Sequence, residues 1–171
     1  MIGAKLIEEN STIKLWIFED NTLSTKEERV AFEQKVKELN LDAHLTVYAN
    51  QPHSEMPRYF SIIGDSGGFL CSTSQIEGFG YAVLEAMTCK CPVLSSDSDG
   101  VRSLLKHNET GKFYNLGDIN QALDEGRELL TNNNLREKIR KGAHEHIKMS
   151  FSPSEYSKNF LNMISNLKHN K

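Results

Sequence analysis

Short apolar or β-branched runs alternate along this chain with longer segments of helical periodicity, and that alternation leaves few folds open. The runs lie at residues 13–18, 45–48, 69–71, 93–95 and 111–114, with helical patterns at 1–9, 26–39, 55–63, 81–89 and 101–105. Helical patterns then take over at 119–130, 135–149 and 153–167. Strands this short, bounded by turn residues, suit a buried parallel sheet. Repeated strand–helix alternation predicts an α/β fold, a doubly wound parallel sheet with helices on both faces. The chain has 171 residues, enough for one domain with a true core. In such sheets ligands bind beyond the carboxyl ends of the strands. The loops after Phe18, Tyr48, Cys71 and Ser95 are therefore where function is expected.

The net charge of −3 excludes a generic nucleic-acid binder that works by bulk attraction to phosphate. The charge is uneven: from Arg127 to Lys171 nine Lys or Arg face four Glu. A solvated helical face accounts for that surplus, and a basic segment also suits peripheral contact with anionic lipid. No apolar run approaches the ~20 residues needed to span a bilayer. The first residues, Met1 to Lys5, lack the apolar core of a signal peptide, so the expected location is cytoplasmic. Cys71, Cys89 and Cys91 have no metal-ligand spacing and are expected to be buried thiols. The six histidines form no ligand cluster, and no metal site is expected. Asp97-Ser98-Asp99 reads as a loop rather than a metal-binding carboxylate pair. Gly64-Asp65-Ser66-Gly67-Gly68 reads as a turn between helix and strand.

The densest signal runs from Ser72 to Met87. It leaves a strand at Cys71, crosses a Ser- and Gly-rich loop and enters a helix near Tyr81. Gly78 and Gly80 remove side chains where a ligand must approach the backbone. The amides of Gly80, Tyr81 and Ala82 then face outward at the positive end of a helix dipole, a seat for phosphate. Glu77 and Glu85 bracket that seat, at most ~12 Å apart if helical spacing holds. An ionised carboxylate accepts two hydroxyl donors, so each Glu suits a vicinal diol. The plain alternative is a helix N-terminal Glu followed by a surface Glu.

Glu77-Gly78-Phe79-Gly80, the second Glu at 85, Ala86-Met87, Cys89 and Pro92-Val93-Leu94 resemble the donor-binding half of retaining GT-B glycosyltransferases. The match is to glycosyltransferase family 4, whose signature is two Glu separated by seven residues. Lys14-Leu15-Trp16-Ile17, the Pro52, Glu55, Met56-Pro57, Tyr59 stretch, Asn108-Glu109-Thr110-Gly111 and Phe151-Ser152 support it in order. The resemblance covers most of the chain, from Lys14 to about Leu161. It implies a Rossmann-like C-terminal half of a GT-B fold with extra C-terminal helices. Residues 1–150 would form the nucleotide-sugar-binding domain, lacking its first strand. Residues 151–171 would form a helix that packs on an N-terminal acceptor domain absent from this chain, leaving Leu161, Met163 and Ile164 partly exposed.

By the same resemblance, Glu77 is the catalytic carboxylate and meets the donor hexose together with the backbone of Gly78, Phe79 and Gly80. Tyr81 and Ala82 meet phosphate, Glu85 holds the ribose, and Tyr48, Ala49 and Asn50 flank the base. The implied reaction moves a hexose from a nucleotide diphosphate sugar, with retention and without metal or cofactor, to a glycan or lipid-linked acceptor. The implied setting is polysaccharide synthesis at the inner membrane face. Two other functions are weighed against it: a non-catalytic nucleotide-binding or interaction module, and a GT-B nucleotide-sugar epimerase.

The chain also departs from the family. A strand ending in Gly-Arg, followed by a Lys, normally precedes the first helix and lies centrally in the sheet, and this chain has no counterpart. It is expected to be a piece of a longer enzyme and inactive in isolation. Lys90 stands where a helix-ending Gly is usual, and Asp99-Gly100 where paired glycines approach the donor. Arg102 is the one cation near that loop that would partly replace the missing pair.

Overall fold

The computed structural model describes residues 1–169. Lys171, counted in the basic C-terminal segment, lies outside the described residues. Among the described residues there are five strands and eight α-helices. Helix α1 (Ile2–Glu9) leads to strand β1 (Leu15–Glu19), α2 (Lys26–Glu38) and β2 (Leu45–Ala49). A 3₁₀ turn, His53–Glu55, enters α3 (Met56–Asp65), followed by β3 (Leu70–Ser72), α4 (Tyr81–Thr88) and β4 (Val93–Ser96). Then come α5 (Asp99–Arg102), β5 (Lys112–Tyr114), α6 (Ile119–Thr131), α7 (Asn133–Ser150) and α8 (Pro153–His169). No described helix is long and apolar enough to cross a membrane.

Local chemistry sets several of these boundaries. Thr25 and Glu28 form a reciprocal capping box at the start of α2, and Asp118 and Asn132 cap α6 and α7 through the amides of Gln121 and Leu135. Helix α5 is shorter than the expected 101–105. Its helical turn begins at Asp99, beside the helix dipole's positive end, and Leu104 and Leu105 continue inward as buried turn residues.

All strand pairs are parallel, but the sheet is in two pieces. β1 pairs with β2 from Leu15↔Leu45 to Glu19↔Ala49, and β4 lies between β3 and β5. Among the described residues no ladder joins β1 to β3, so the single expected sheet is divided at the position where the resemblance placed a further strand. Helices hold the pieces together. Val93 and Leu94 are successive in β4 and so point to opposite faces. Leu94 packs with Ile2 and Leu6 of α1 and with α6, while Ala4 and Ile7 of the same helix pack toward Leu15 and Leu45. Val93 packs on the other face with Phe60, Met56 and Ile63 of α3. Tyr59, also on α3, places its ring 4.9–5.9 Å from Phe18, Tyr48 and Trp16. One helix on each face thus spans the seam.

One side-chain expectation changes, and one buried charge was not foreseen. Cys91 is buried and Cys89 half-buried, but Cys71 is exposed. It lies on β3, the strand facing the seam; neighbouring protein pushes its thiol up to about 11, yet solvent still reaches the residue. Lys112, in what reads as an ordinary strand, is fully buried. Its ammonium donates to Glu125 and Glu128 and holds the Glu128 carboxyl below the usual range.

Lys90 does adopt the left-handed conformation, at φ 57° after α4. That conformation costs a residue with a Cβ ~1 kcal/mol or more. Its carbonyl accepts from Arg140 Nε at 2.9 Å, a bond that any residue there keeps. Lys90→Gly is therefore expected to raise stability by ~0.5 kcal/mol after allowing for glycine's greater freedom when unfolded. A higher denaturant midpoint at unchanged slope would report it; a lower midpoint would show that the lysine side chain contributes more than its backbone costs.

Helix α8 carries Leu161 and Met163 exposed and Ile164 half-buried, with Tyr156 and Phe160 also exposed. For Leu161, Met163 and Ile164 that is the expected exposure.

Candidate functional site

The loop between β3 and α4 is held from below. Ser96 Oγ donates to the carbonyl of Ser74 at 2.6 Å, and the Tyr114 hydroxyl donates to the carbonyl of Ser72 at 3.2 Å. Gly100, at the start of α5, lies directly against the backbone of Glu77 and Gly78. A Cβ on Gly100 would sit 2.0 Å from the Glu77 carbonyl oxygen and 2.7 Å from the Gly78 carbonyl carbon. Gly80 turns the chain into α4 with φ 82° and ψ 50°, the left-handed region glycine enters without cost. Gly78 differs from both, since nothing lies within 4 Å of where its Cβ would be. Packing within the protein does not require that glycine, and the space above it is open to a ligand.

The residues predicted for the site gather at the head of α4. The half-buried Glu77 accepts from the Gly80 amide at 3.2 Å, so its carboxylate rests at the positive end of the helix. Tyr81 and Ala82 are exposed in the first turn, where amides have no intrahelical acceptor. The Tyr81 ring is 70% exposed and leans on Phe79 at 5.1 Å. Phe79 is partly buried, and its ring packs against the core with Phe151 5.8 Å away. Glu85 lies one turn further and is half-buried. Its Oε1 is 2.7 Å from Nε2 of His53, which brings the segment after β2 onto α4.

Arg102 is not a free cation. It makes two bonds to Asp97, at 2.8 and 3.1 Å, and one to Asp99 at 3.3 Å. Asp97 is held below the usual carboxylate range by that guanidinium. The arginine reads in sequence as a replacement for the family's cations because it follows the loop closely, but the two aspartates that form the same turn engage it first. Asp99 in turn has its charge offset. Among the described residues no group of three metal-ligating side chains is found.

An open cavity of about 470 Å³ lies at the carboxyl ends of β1 and β2, lined by Phe18, Asp20, Thr22, Asn50, Gln51 and Met56 among others. Of the three residues expected to flank a base, Asn50 lines this cavity. Ala49 is exposed beside it, and Tyr48 stands behind it, its ring stacked on Phe18 at 5.2 Å. Asn50 holds φ 50° and exchanges two hydrogen bonds with Asn21. Gln51 and His53 carry no role in the sequence reading, and Gly100 enters it only as half of the Asp99-Gly100 pair near the donor, not as a packing contact for the Glu77 loop. The contacts of His53 and Gly100 reach 32 and about 23 residues along the chain, beyond the range of a local motif.

A parallel α/β domain with a glycine loop, a helix head and two carboxylates at the carboxyl edge of its strands has the form of a GT-B nucleotide-binding half. Residues 4–146 match the family described as glycosyl transferases group 1, and the chain belongs to that family. It is 25% identical over 138 residues to 2-deoxystreptamine N-acetyl-D-glucosaminyltransferase of Niallia circulans, covering 81% of this chain and 34% of that protein. It is 23% identical over 165 residues to poly(ribitol-phosphate) alpha-N-acetylglucosaminyltransferase of Staphylococcus aureus, covering 96% and 31%. The fold is shared with Anabaena HepE in complex with UDP, at TM-score 0.84 and 16% identity, over 96% of this chain and 44% of that one. It is also shared with the C-terminal domain of the group 1 protein LpcC from Francisella tularensis, at TM-score 0.77 and 20% identity, over 89% and 76%. The chain spans about a third of the length of the curated relatives it matches.

Proposed function

We propose that this chain is the donor-binding domain of a retaining hexosyltransferase that uses a nucleotide diphosphate sugar. The observation that carries this is the convergence, within one strand–loop–helix unit, of Glu77, the head of α4 and Glu85, above a glycine with open space. The diphosphate is met by the first-turn amides of α4, which stabilise the leaving group without a metal. Glu77 and the backbone of residues 78–80 face the hexose, and Glu85 takes the ribose hydroxyls. The cavity lined by Asn50 and Gln51 receives the base. The acceptor is a glycan or lipid-linked sugar, bound by an N-terminal domain of the longer protein. The apolar residues of α8 pack on that domain, and the enzyme works in the cytoplasm at the membrane face.

Calorimetric titration of the chain with UDP, GDP and ADP tests this reading. One nucleotide is expected to bind, and Glu85→Ala is expected to weaken it at least tenfold, the ~1.5–3 kcal/mol of hydrogen bonding to a charged acceptor. Absence of binding to all three, or unchanged affinity in Glu85→Ala, would remove the donor site. The engagement of Arg102 by Asp97 and Asp99 favours a second reading, a non-catalytic nucleotide-binding module. Nucleotide binding without sugar transfer by the longer protein would select it.

A further inference from the structure

We infer that His53 is a positioning residue for the donor ribose, holding the Glu85 carboxylate in the orientation that meets the sugar hydroxyls; this rests on the donor reading of the site. Glu85 Oε1 and His53 Nε2 are 2.7 Å apart, and among the described residues this is the one side-chain hydrogen bond the carboxylate makes. An ionised carboxylate only accepts, so the imidazole N–H donates. The contact leaves Glu85 Oε2 free and most of the carboxylate's lone pairs available for a diol.

The imidazole is set by an anchored segment. Asn50 is tied to Asn21, the Gln51 amide donates to the carbonyl of Ala49 at 3.0 Å, and Gln51 accepts from the Tyr59 hydroxyl at 2.9 Å. Pro52 fixes the next φ at −58°, and the 3₁₀ turn closes with the Glu55 amide on the Pro52 carbonyl at 2.9 Å. His53 therefore leaves this segment at a defined point, two residues past the cavity-lining Gln51. It links the base side of the site to the ribose side.

The same contact contributes little to the fold. The His53 side chain is 83% exposed against 28% for Glu85, and exposed ion-pair or hydrogen-bond contacts of this kind are weak. What it supplies is order. A glutamate loses several rotamers when it binds, and a partner that has already removed them makes binding tighter.

The test uses the 171-residue chain with two probes, UDP and 2′,3′-dideoxy-UDP. His53→Ala is expected to weaken UDP about threefold to tenfold, the range for one rotamer-rich side chain ordered in advance. It is expected to leave the dideoxy compound and the melting temperature unchanged. His53→Gln, which keeps an N–H donor, is expected to restore most of the UDP affinity. Added to Glu85→Ala, His53→Ala should bring no further loss, since both act through one carboxylate. Unchanged or tighter UDP binding in His53→Ala, with Glu85→Ala still weakened, would overturn the role of His53 and leave the donor site standing. An equal loss for both probes would mark a structural effect and overturn it too. If Glu85→Ala also binds UDP normally, or the parent chain takes up none of UDP, GDP and ADP, the donor site itself falls and this role with it; a parent chain that prefers GDP or ADP takes the same pair of probes with that base.

Discussion

Gly100→Ala is expected to abolish nucleotide binding and to cost ~3 kcal/mol of stability or more. The added Cβ would stand 2.0 Å from the Glu77 carbonyl oxygen and 2.7 Å from the carbonyl carbons of Glu77 and Gly78. All three are backbone atoms, so no side chain can rotate away. Either the loop that carries Glu77 lifts or α5 retreats, and α5 is tied into the core by Val101, Leu104 and Leu105. The loop is the softer of the two. A displacement of about 1 Å there removes the geometry that a bound diphosphate sugar requires. Gly78→Ala provides the contrast, because nothing lies within 4 Å of its Cβ position. That variant should keep full stability while weakening binding. Urea midpoints and UDP titrations of the two variants decide the matter, and a Gly100→Ala protein as stable as its parent would refute the contact.

Arg136→Met is expected to cost ~3 kcal/mol, for a reason remote from the site. Arg136 is buried on α7, and its guanidinium donates to the carbonyls of Gly64, Gly67 and Gly68, the last at 3.0 Å. These carbonyls end α3 and form the turn into β3, where a helix leaves acceptors without intrahelical donors. Burial pushes the Arg136 pKa down, a sign that keeping the charge there is itself costly. Methionine relieves that cost and fills the apolar stem, but it leaves three carbonyls without their donor. The net loss should lower the melting temperature by about 6–12 °C for a domain of this size. Arg136→Lys should recover less than half, because an ammonium cannot meet three acceptors in one plane. A melting temperature within 2 °C of the parent for Arg136→Met would show that water replaces the guanidinium freely (roughly 1 kcal/mol or less).

The alternation of short apolar runs with helical patterns made the parallel α/β fold legible, because burial on both faces of β4 leaves an apolar run and burial of one face of helices such as α1, α6 and α7 leaves a periodic trace. Glu77 and Glu85 were legible for a related reason: both belong to one strand–loop–helix unit, so their spacing survives in the linear chain. Lys112 left no such trace, since its pairing with Glu125 and Glu128 depends on where α6 crosses β5. Arg102 misled because sequence proximity to the loop said nothing of Asp97 and Asp99, which share its turn. His53 was invisible as a functional position, and the contact of Gly100 with the Glu77 loop was equally so, for the opposite reason, their partners being far along the chain.

The seam between β1 and β3 has a mechanical meaning for the site. The cavity lined by Asn50 and Gln51 belongs to the plate built on β1 and β2, and the head of α4 belongs to the plate built on β3, β4 and β5. Main-chain ladders stiffen each plate internally, whereas α1, α3, Ile13 and the His53–Glu85 contact run across by side-chain packing and hydrogen bonding. A nucleotide with its base in the cavity and its phosphates on α4 would bridge the divide as a rivet does. Its binding energy would then be shared between recognising the donor and clamping the two plates in register.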